Sequence, residues 1–290
     1  MNRLFCFGFG PVASALARRL KPQGWRIAGT SRDRDMLSQI ANEGYEAFMF
    51  EGPLLDVTRT LDGATHILIS IPPTPRGDPV LAHHVHDLSA VSPKPKWVGY
   101  LSSTVVYGDH RGEWVDETTP TVTDTERAKR RVAAEHAWTA WGSAVGVPVQ
   151  IFRLAGIYGP GNSQLDVLRQ GKARRIVKEG QVFSRIHVED IATVLEASIA
   201  HPNAGAIYNV CDDEPAPPHE VVTYAAQLLN VEPPPIETFE QAAPTMSEMA
   251  LSFYSDAKRV RNERIKSELG VTLRYPNYRE GLLAIKDGRS

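Results

Sequence analysis

Cysteine is nearly missing. The 290 residues contain two, Cys6 and Cys211. Both lie in apolar, strand-like runs, so a disulfide framework or a cysteine metal cluster is not expected, and reduced core thiols in a cytoplasmic protein are. Charge of one sign is lacking too. Lys and Arg number 32 against 34 Asp and Glu, for a formal net charge of -2. This balance offers no electrostatic footing for nucleic acid. No run approaches the roughly 18 apolar residues of a membrane span. The N-terminal stretch has no signal-peptide pattern, because glycines interrupt it before a long apolar region forms. Histidines are present, but not as a metal site. His83, His84 and His86 sit at i, i+1 and i+3 of a helical pattern and do not converge on one face, so no metal is expected.

What is present begins at Leu4–Arg19, LFCFGFGPVASALARR. An apolar run, Leu4 to Phe7, meets Gly8 and Gly10. Pro11, Val12 and Ala13 then open a pattern in which Val12, Leu16 and Leu20 recur at helical spacing. Strand, tight turn and helix in this order let backbone approach a pyrophosphate at a helix N-terminus. Gly8 allows the turn and Gly10 the approach. Pro11 suits a first helical turn, and Ala13 is small enough for close packing of helix on strand. A G-x-G-x-x-A turn alone also occurs in α/β proteins that bind no dinucleotide; its place directly after a strand favours the dinucleotide reading.

The second strand, Trp25 to Thr30, runs into Ser31-Arg32-Asp33-Arg34. An acidic residue here takes the free ribose 2'-hydroxyl, whereas an arginine with a hydroxyl suits a 2'-phosphate. Ser31 and Arg32 therefore favour NADP, with NAD as the alternative if Asp33 turns inward. Further strands are expected at Tyr45–Phe50, His66–Ile71, Lys96–Leu101, Val147–Leu154 and Ala206–Val210. Helices are expected at Met36–Asn42, Pro79–Ala90 and Asp124–Ala140. Ile71 and Pro72 end the fourth strand on the side where open α/β sheets bind ligands, and are expected to line the cofactor. Ser102, Ser103 and Thr104 form a hydroxyl cluster at the end of the fifth strand. The fold class is α/β: a Rossmann-type doubly wound parallel sheet with a smaller C-terminal substrate and lid region. The expected division is 1–160 for the core, 161–184 for a lid, 185–211 for a return to the core and 212–290 for mainly substrate binding.

The glycine turn, LSSTVVYG at Leu101–Gly108, RLAGIYGPG at Arg153–Gly161, RIHVEDIA at Arg185–Ala192 and YNVCDDEP at Tyr208–Pro215 follow one another in a familiar order. So arranged, the chain resembles the extended short-chain dehydrogenase/reductase superfamily, in its NAD(P)-dependent epimerase/dehydratase branch. The resemblance implies a serine that holds the substrate oxygen, a tyrosine that passes the proton and a lysine that holds the nicotinamide ribose. Ser103 falls on the first position and Lys129 on the last. The tyrosine position holds Thr125, and an alkyl hydroxyl cannot replace a phenol as acid/base. Glu126, Tyr107 and His187 are the candidate replacements. The pattern is similar to the atypical subgroup with an altered catalytic set. The family's usual turn, G-x-x-G-x-x-G, is also replaced here.

Two functions follow. One is an NADP-dependent oxidoreductase or epimerase/dehydratase-like enzyme acting on a small polar carbonyl, alcohol or sugar-like substrate. The other is a non-catalytic NAD(P)-binding sensor or scaffold. Arg169, Lys172, Arg174 and Arg175 meet an anionic substrate group or form a solvated face. Monomer and homodimer both remain open, the latter through Pro79–Ala90 and Asp124–Ala140.

Overall fold

The computed structural model describes residues 1–289. Strands and helices alternate from the start: β1 (Arg3–Phe7), α1 (Pro11–Leu20), β2 (Arg26–Ser31), α2 (Arg34–Asn42), β3 (Glu46–Met49), α3 (Val57–Leu61) and β4 (His66–Ile69). Next come α4 (Pro79–Ala90), β5 (Trp97–Ser103), β6 (Trp114–Val115), α5 (Glu126–Val145), β7 (Val149–Leu154) and β8 (Gly156–Tyr158). After them stand α6 (Gln164–Arg169), β9 (Arg175–Val177), β10 (Arg185–His187), α7 (Val188–Ala200), β11 (Ile207–Val210) and α8 (Pro218–Leu229). The last are β12 (Ile236–Thr238), α9 (Phe239–Ala242), α10 (Glu248–Ser255), β13 (Arg259–Val260), α11 (Glu263–Leu269) and α12 (Tyr278–Lys286).

Seven strands form one parallel sheet in the order β11-β7-β5-β4-β1-β2-β3. This is the doubly wound Rossmann arrangement expected from the sequence. The order reverses between β1 and β4, which pair with Phe7 opposite Ile69. Ligands of open α/β sheets bind at such a switch point, beyond the carboxyl ends of the strands. The near-continuous apolar strands are explained by cover on both faces: Leu4, Phe5, Cys6 and Phe7 are all fully buried, as are Ile67, Leu68 and Ile69. Phe5, Ile67, Val98, Tyr100 and Ile151 share a core with Trp138.

The chain divides into two compact units. The first comprises Met1–Val106, Asp124–Arg153 and Ala192–Tyr208 and holds nearly all of the sheet. The second comprises Tyr107–Thr123, Leu154–Ile191 and Asn209–Ser290. The boundaries thus differ from the expected 160, 184 and 211. The loop 107–123 joins the second unit because β6 pairs with β13, and the segment after β7 joins it because β8 pairs with β10. A separate core of this unit gathers Tyr158, Leu165, Val221, Ala225, Tyr278 and Leu282. Among the described residues, no helix is long and apolar enough to cross a membrane.

Several ends shift for local reasons. The fourth strand stops at Ile69, because the Ser70 hydroxyl turns to donate to the Gly8 carbonyl at 2.7 Å. The helix expected to end at Ala140 runs to Val145 and stops at Gly146, whose φ of 71° is left-handed. His84 is a core residue. It is 1% exposed, its Nε2 accepts from the Leu54 N–H at 3.0 Å, and its Nδ1 meets Asp87 at 2.9 Å. Among the described residues, no group of three or more His, Cys, Asp or Glu is arranged to hold a metal.

Candidate functional site

The glycine turn lies at the switch point. Gly8 has φ 86°, and a Cβ there would sit 2.6 Å from Ser70 Oγ and 3.0 Å from Ile71 Cγ1. A side chain is therefore excluded, and Ile71 is brought against the turn. The Gly8 N–H donates to Thr30 Oγ1 at 2.8 Å, tying the turn to the end of β2. Gly10 behaves differently. It is the N-cap of α1, in extended conformation, and a Cβ on it would meet nothing within 4 Å. No side chain caps α1, Pro11 opens it, and its first turn has no acidic residue. Its first-turn N–H groups, Val12's among them, are oriented for an anion. The residues fit a dinucleotide pyrophosphate on these grounds. Pro72 continues from Ile71 and is exposed.

At the end of β2 the ambiguity over Asp33 narrows. Asp33 is the N-cap of α2; its Oδ1 accepts from the Asp35 and Met36 N–H groups at 2.8 and 3.4 Å. Ser31 Oγ accepts from the Asp33 N–H at 3.0 Å. Arg32 is exposed and makes no hydrogen bond or ion pair within the described residues.

The end of β5 carries Ser103, partly buried, whose Oγ accepts from the Val105 N–H at 3.3 Å. Helix α5 packs beside it. Its buried stripe is Ala128, Ala134, Glu135, Trp138 and Trp141. Lys129 is a surface residue of this helix. Lys129 lies off the stripe, is 54% exposed, and pairs with Glu126 at 3.0 Å. Arg131, three residues after Ala128 and four before Glu135, points inward instead. Its Nη1 donates to the Leu101 carbonyl at 2.8 Å, two residues before Ser103. Thr125 is the α5 N-cap and accepts from the Ala128 N–H at 3.3 Å. It closes the helix end rather than presenting a group on the helix. Glu126 is largely exposed.

Beneath this edge is a buried ion pair that the sequence reading missed. Glu135 and Arg153 are 3% and 4% exposed. Arg153 donates through Nη2 at 2.8 Å and Nε at 3.2 Å, and Ser102 Oγ donates to the same carboxylate at 2.5 Å. The pair fastens the serine next to Ser103. Asp78 and Tyr100 lie in the same unit, buried, and burial raises both their pKa values.

In the second unit, Tyr107 is fully buried and donates to Asn209 Oδ1 at 2.7 Å. His187 is also fully buried, between the rings of Tyr158 and Tyr275. Its Nδ1 accepts from the Glu189 N–H at 3.2 Å, and burial lowers its pKa to about 4. His187 is thus held as a neutral packing group, remote in character from an acid/base poised near neutrality. The helical and strand arginines after 160 are largely engaged. Arg169 pairs with Asp166 at 3.5 Å, and Arg174 grips Glu237 through Nε at 3.1 Å and Nη2 at 2.5 Å. Arg175 is partly buried and Lys172 exposed.

Residues 83–211 match the NAD dependent epimerase/dehydratase family. Among solved structures, it is 52% identical to a functionally unknown conserved protein from Silicibacter pomeroyi, with a TM-score of 0.90 and 99% of each chain covered. Protein YeeZ of Escherichia coli K12 is 28% identical over 290 residues, which cover 96% of this chain and 97% of YeeZ. The human epimerase family protein SDR39U1, solved with NADPH, shares the fold at 15% identity and a TM-score of 0.76, with 99% of both chains covered. These likenesses show a shared fold.

Proposed function

We propose that this protein is a member of that epimerase/dehydratase family that binds a nicotinamide dinucleotide, NADP in preference to NAD, and transfers hydride between it and a small polar or sugar-like carbonyl or alcohol. The observation that carries the reading is the uncapped, acid-free start of α1 beneath the open face of Gly10. The human relative was solved with NADPH. Arg32, unengaged beside Ser31, is the group suited to a 2'-phosphate, and Asp33 is committed to capping α2. The cofactor, when bound, supplies or accepts hydride.

The chain's own part lies at the end of β5. Ser103 donates a hydrogen bond to the substrate oxygen, and the proton that balances the hydride is exchanged with water. Arg131 takes the place expected of Lys129 and keeps a fixed positive charge at the same strand end. A guanidinium cannot release a proton, so its contribution is electrostatic stabilisation of charge developing on that oxygen. Thr125 takes no part in proton transfer.

The first experiment is titration of the purified protein with NADPH and NADH, followed by nicotinamide fluorescence. NADPH is expected to bind at least about tenfold tighter, and Arg32→Ala to remove that preference by weakening NADPH alone. Equal binding of the two would leave Arg32 without a role. A second comparison concerns the cation. In a screen of aldehydes, ketones and keto sugars, Arg131→Ala is expected to lower turnover roughly 100-fold. Lys129→Ala should leave it within about twofold, since surface pairs contribute little. The reverse ranking would restore Lys129 to the site.

One observation favours a second reading, a sensor or scaffold that binds cofactor without turnover: the position expected to hold the catalytic tyrosine holds a helix cap. Tight NADPH binding with no turnover across the screen would select it.

A further inference from the structure

One buried histidine joins three segments of the first unit: α4, β1 and the stretch that leaves β3. His84, on α4, accepts through Nε2 from the Leu54 N–H at 3.0 Å, and its Nδ1 meets Asp87 Oδ2 at 2.9 Å. Because Nε2 accepts, the ring proton sits on Nδ1 and points at Asp87. Asp87 thus selects the tautomer that holds Leu54. The ring lies 6.1 Å from that of Phe7 and 5.8 Å from that of Phe50. Helix α4 departs from helical geometry at this residue, with φ -130° and ψ 15°.

The stretch it holds has no helix or strand of its own between Met49 and Val57. Phe50 and Leu54 are buried, while Glu51 and Pro53 between them are exposed. The buried Leu54 N–H finds its acceptor in the ring, where most buried amides find backbone. Phe50, at the other end, is bonded to the tip of β2. Its N–H donates to the Ser31 carbonyl at 3.0 Å. Ser31 immediately precedes Arg32, and its Oγ accepts from the Asp33 N–H. One side chain therefore fixes both ends of residues 50–54, and one of those ends carries the partner of Ser31.

We propose that His84 is a positioning residue for the part of the cofactor site around Arg32. Its bond to Leu54 and its packing on Phe50 hold residues 50–54 against Ser31, and so set where Arg32 stands. His84 touches no nucleotide in this role; it acts through Phe50 and Ser31. The role rests on the proposed function, in which Arg32 selects NADP.

A phenylalanine fills the same space between Phe7 and Phe50 but offers no acceptor, and leaves a buried N–H unpaired. A glutamine gives up the ring but carries an oxygen to the reach of Nε2. The test compares His84→Phe with His84→Gln in the full chain. Amide hydrogen exchange over residues 50–56, without nucleotide, reads the bond. Nicotinamide fluorescence reads the affinities for NADPH and NADH. His84→Phe should speed exchange at Leu54 by at least about tenfold. It should also lower the preference for NADPH over NADH by at least about fivefold, with NADH affinity kept within about twofold, because the start of α1 is untouched. His84→Gln should bring both readouts back to within about twofold of the parent. Asp87→Ala, at the partly exposed end of the pair, releases the tautomer without disturbing the core; it should speed the same exchange and decides the matter if His84→Phe does not fold.

Unchanged exchange in His84→Phe and Asp87→Ala would overturn the latch. Faster exchange with the preference intact, or an equal loss of both nucleotides, would overturn the positioning role and leave His84 to packing. A parent protein that shows no preference overturns the Arg32 reading, and the positioning role with it, before any variant of His84 is compared.

Discussion

Glu135→Ala will destabilise the first unit by about 3–5 kcal/mol. The substitution removes the carboxylate that the guanidinium of Arg153, 4% exposed, grips through Nε and Nη2, and with it the acceptor of the Ser102 hydroxyl. Desolvating a charge without a partner costs more than the pair itself contributes. The double variant Glu135→Met, Arg153→Met should therefore recover much of the loss. Urea unfolding read by tryptophan fluorescence is the measurement, since Trp25, Trp97, Trp138 and Trp141 all belong to this unit. A loss below about 1 kcal/mol for the single variant would mean that water reaches Arg153. The pair should also matter for chemistry, because Ser102 adjoins Ser103 and its bond to Glu135 orients the strand end.

Gly10→Asp will separate binding from stability. The backbone at Gly10 has φ -91° and ψ -170°, open to any residue, and an added Cβ meets nothing within 4 Å. The new carboxylate caps α1 and complements its dipole, so stability should hold or rise by about 0.3–1 kcal/mol. The same carboxylate occupies the place of the pyrophosphate. Like charges so juxtaposed cost several kcal/mol, and NADPH affinity should fall at least about 100-fold. Gly8→Ala gives the contrast. Its φ of 86° and the 2.6 Å approach of Ser70 Oγ make the protein itself suffer. If Gly10→Asp retained cofactor affinity, the dinucleotide would not lie over this turn.

The alternation of strands and helices, and the sheet they build, were legible because most buried strands are predominantly apolar runs and most helices keep their spacing. The glycine turn was legible as strand, tight turn and helix, and Gly8 takes the left-handed φ that such a turn needs. The candidate site at the end of β5 was less so. Counting from the family pattern reaches Lys129, but which residue faces the sheet is decided by the stripe through Ala128, Glu135 and Trp138, and that stripe selects Arg131. A signal existed: Glu135 and Arg153 interrupt otherwise apolar faces, and two such interruptions of opposite charge invite pairing. Nothing local announces the role of His84, because the N–H it accepts from belongs to Leu54, 30 residues earlier. His187 illustrates the converse. A histidine within a family motif suggests chemistry, while its burial among aromatic rings gives it a packing role.

The strand order has a bearing on synthesis at the ribosome. β7 is complete at Leu154, but its outer neighbour β11 ends only at Val210, roughly 55 residues later. At typical elongation rates the interval is about 3–11 s. Throughout it, β7 presents an unpaired, apolar edge to solvent or a chaperone. Nascent chains stalled in this window should be the species most prone to aggregate, and slowing translation between the two strands should lower the yield of folded protein.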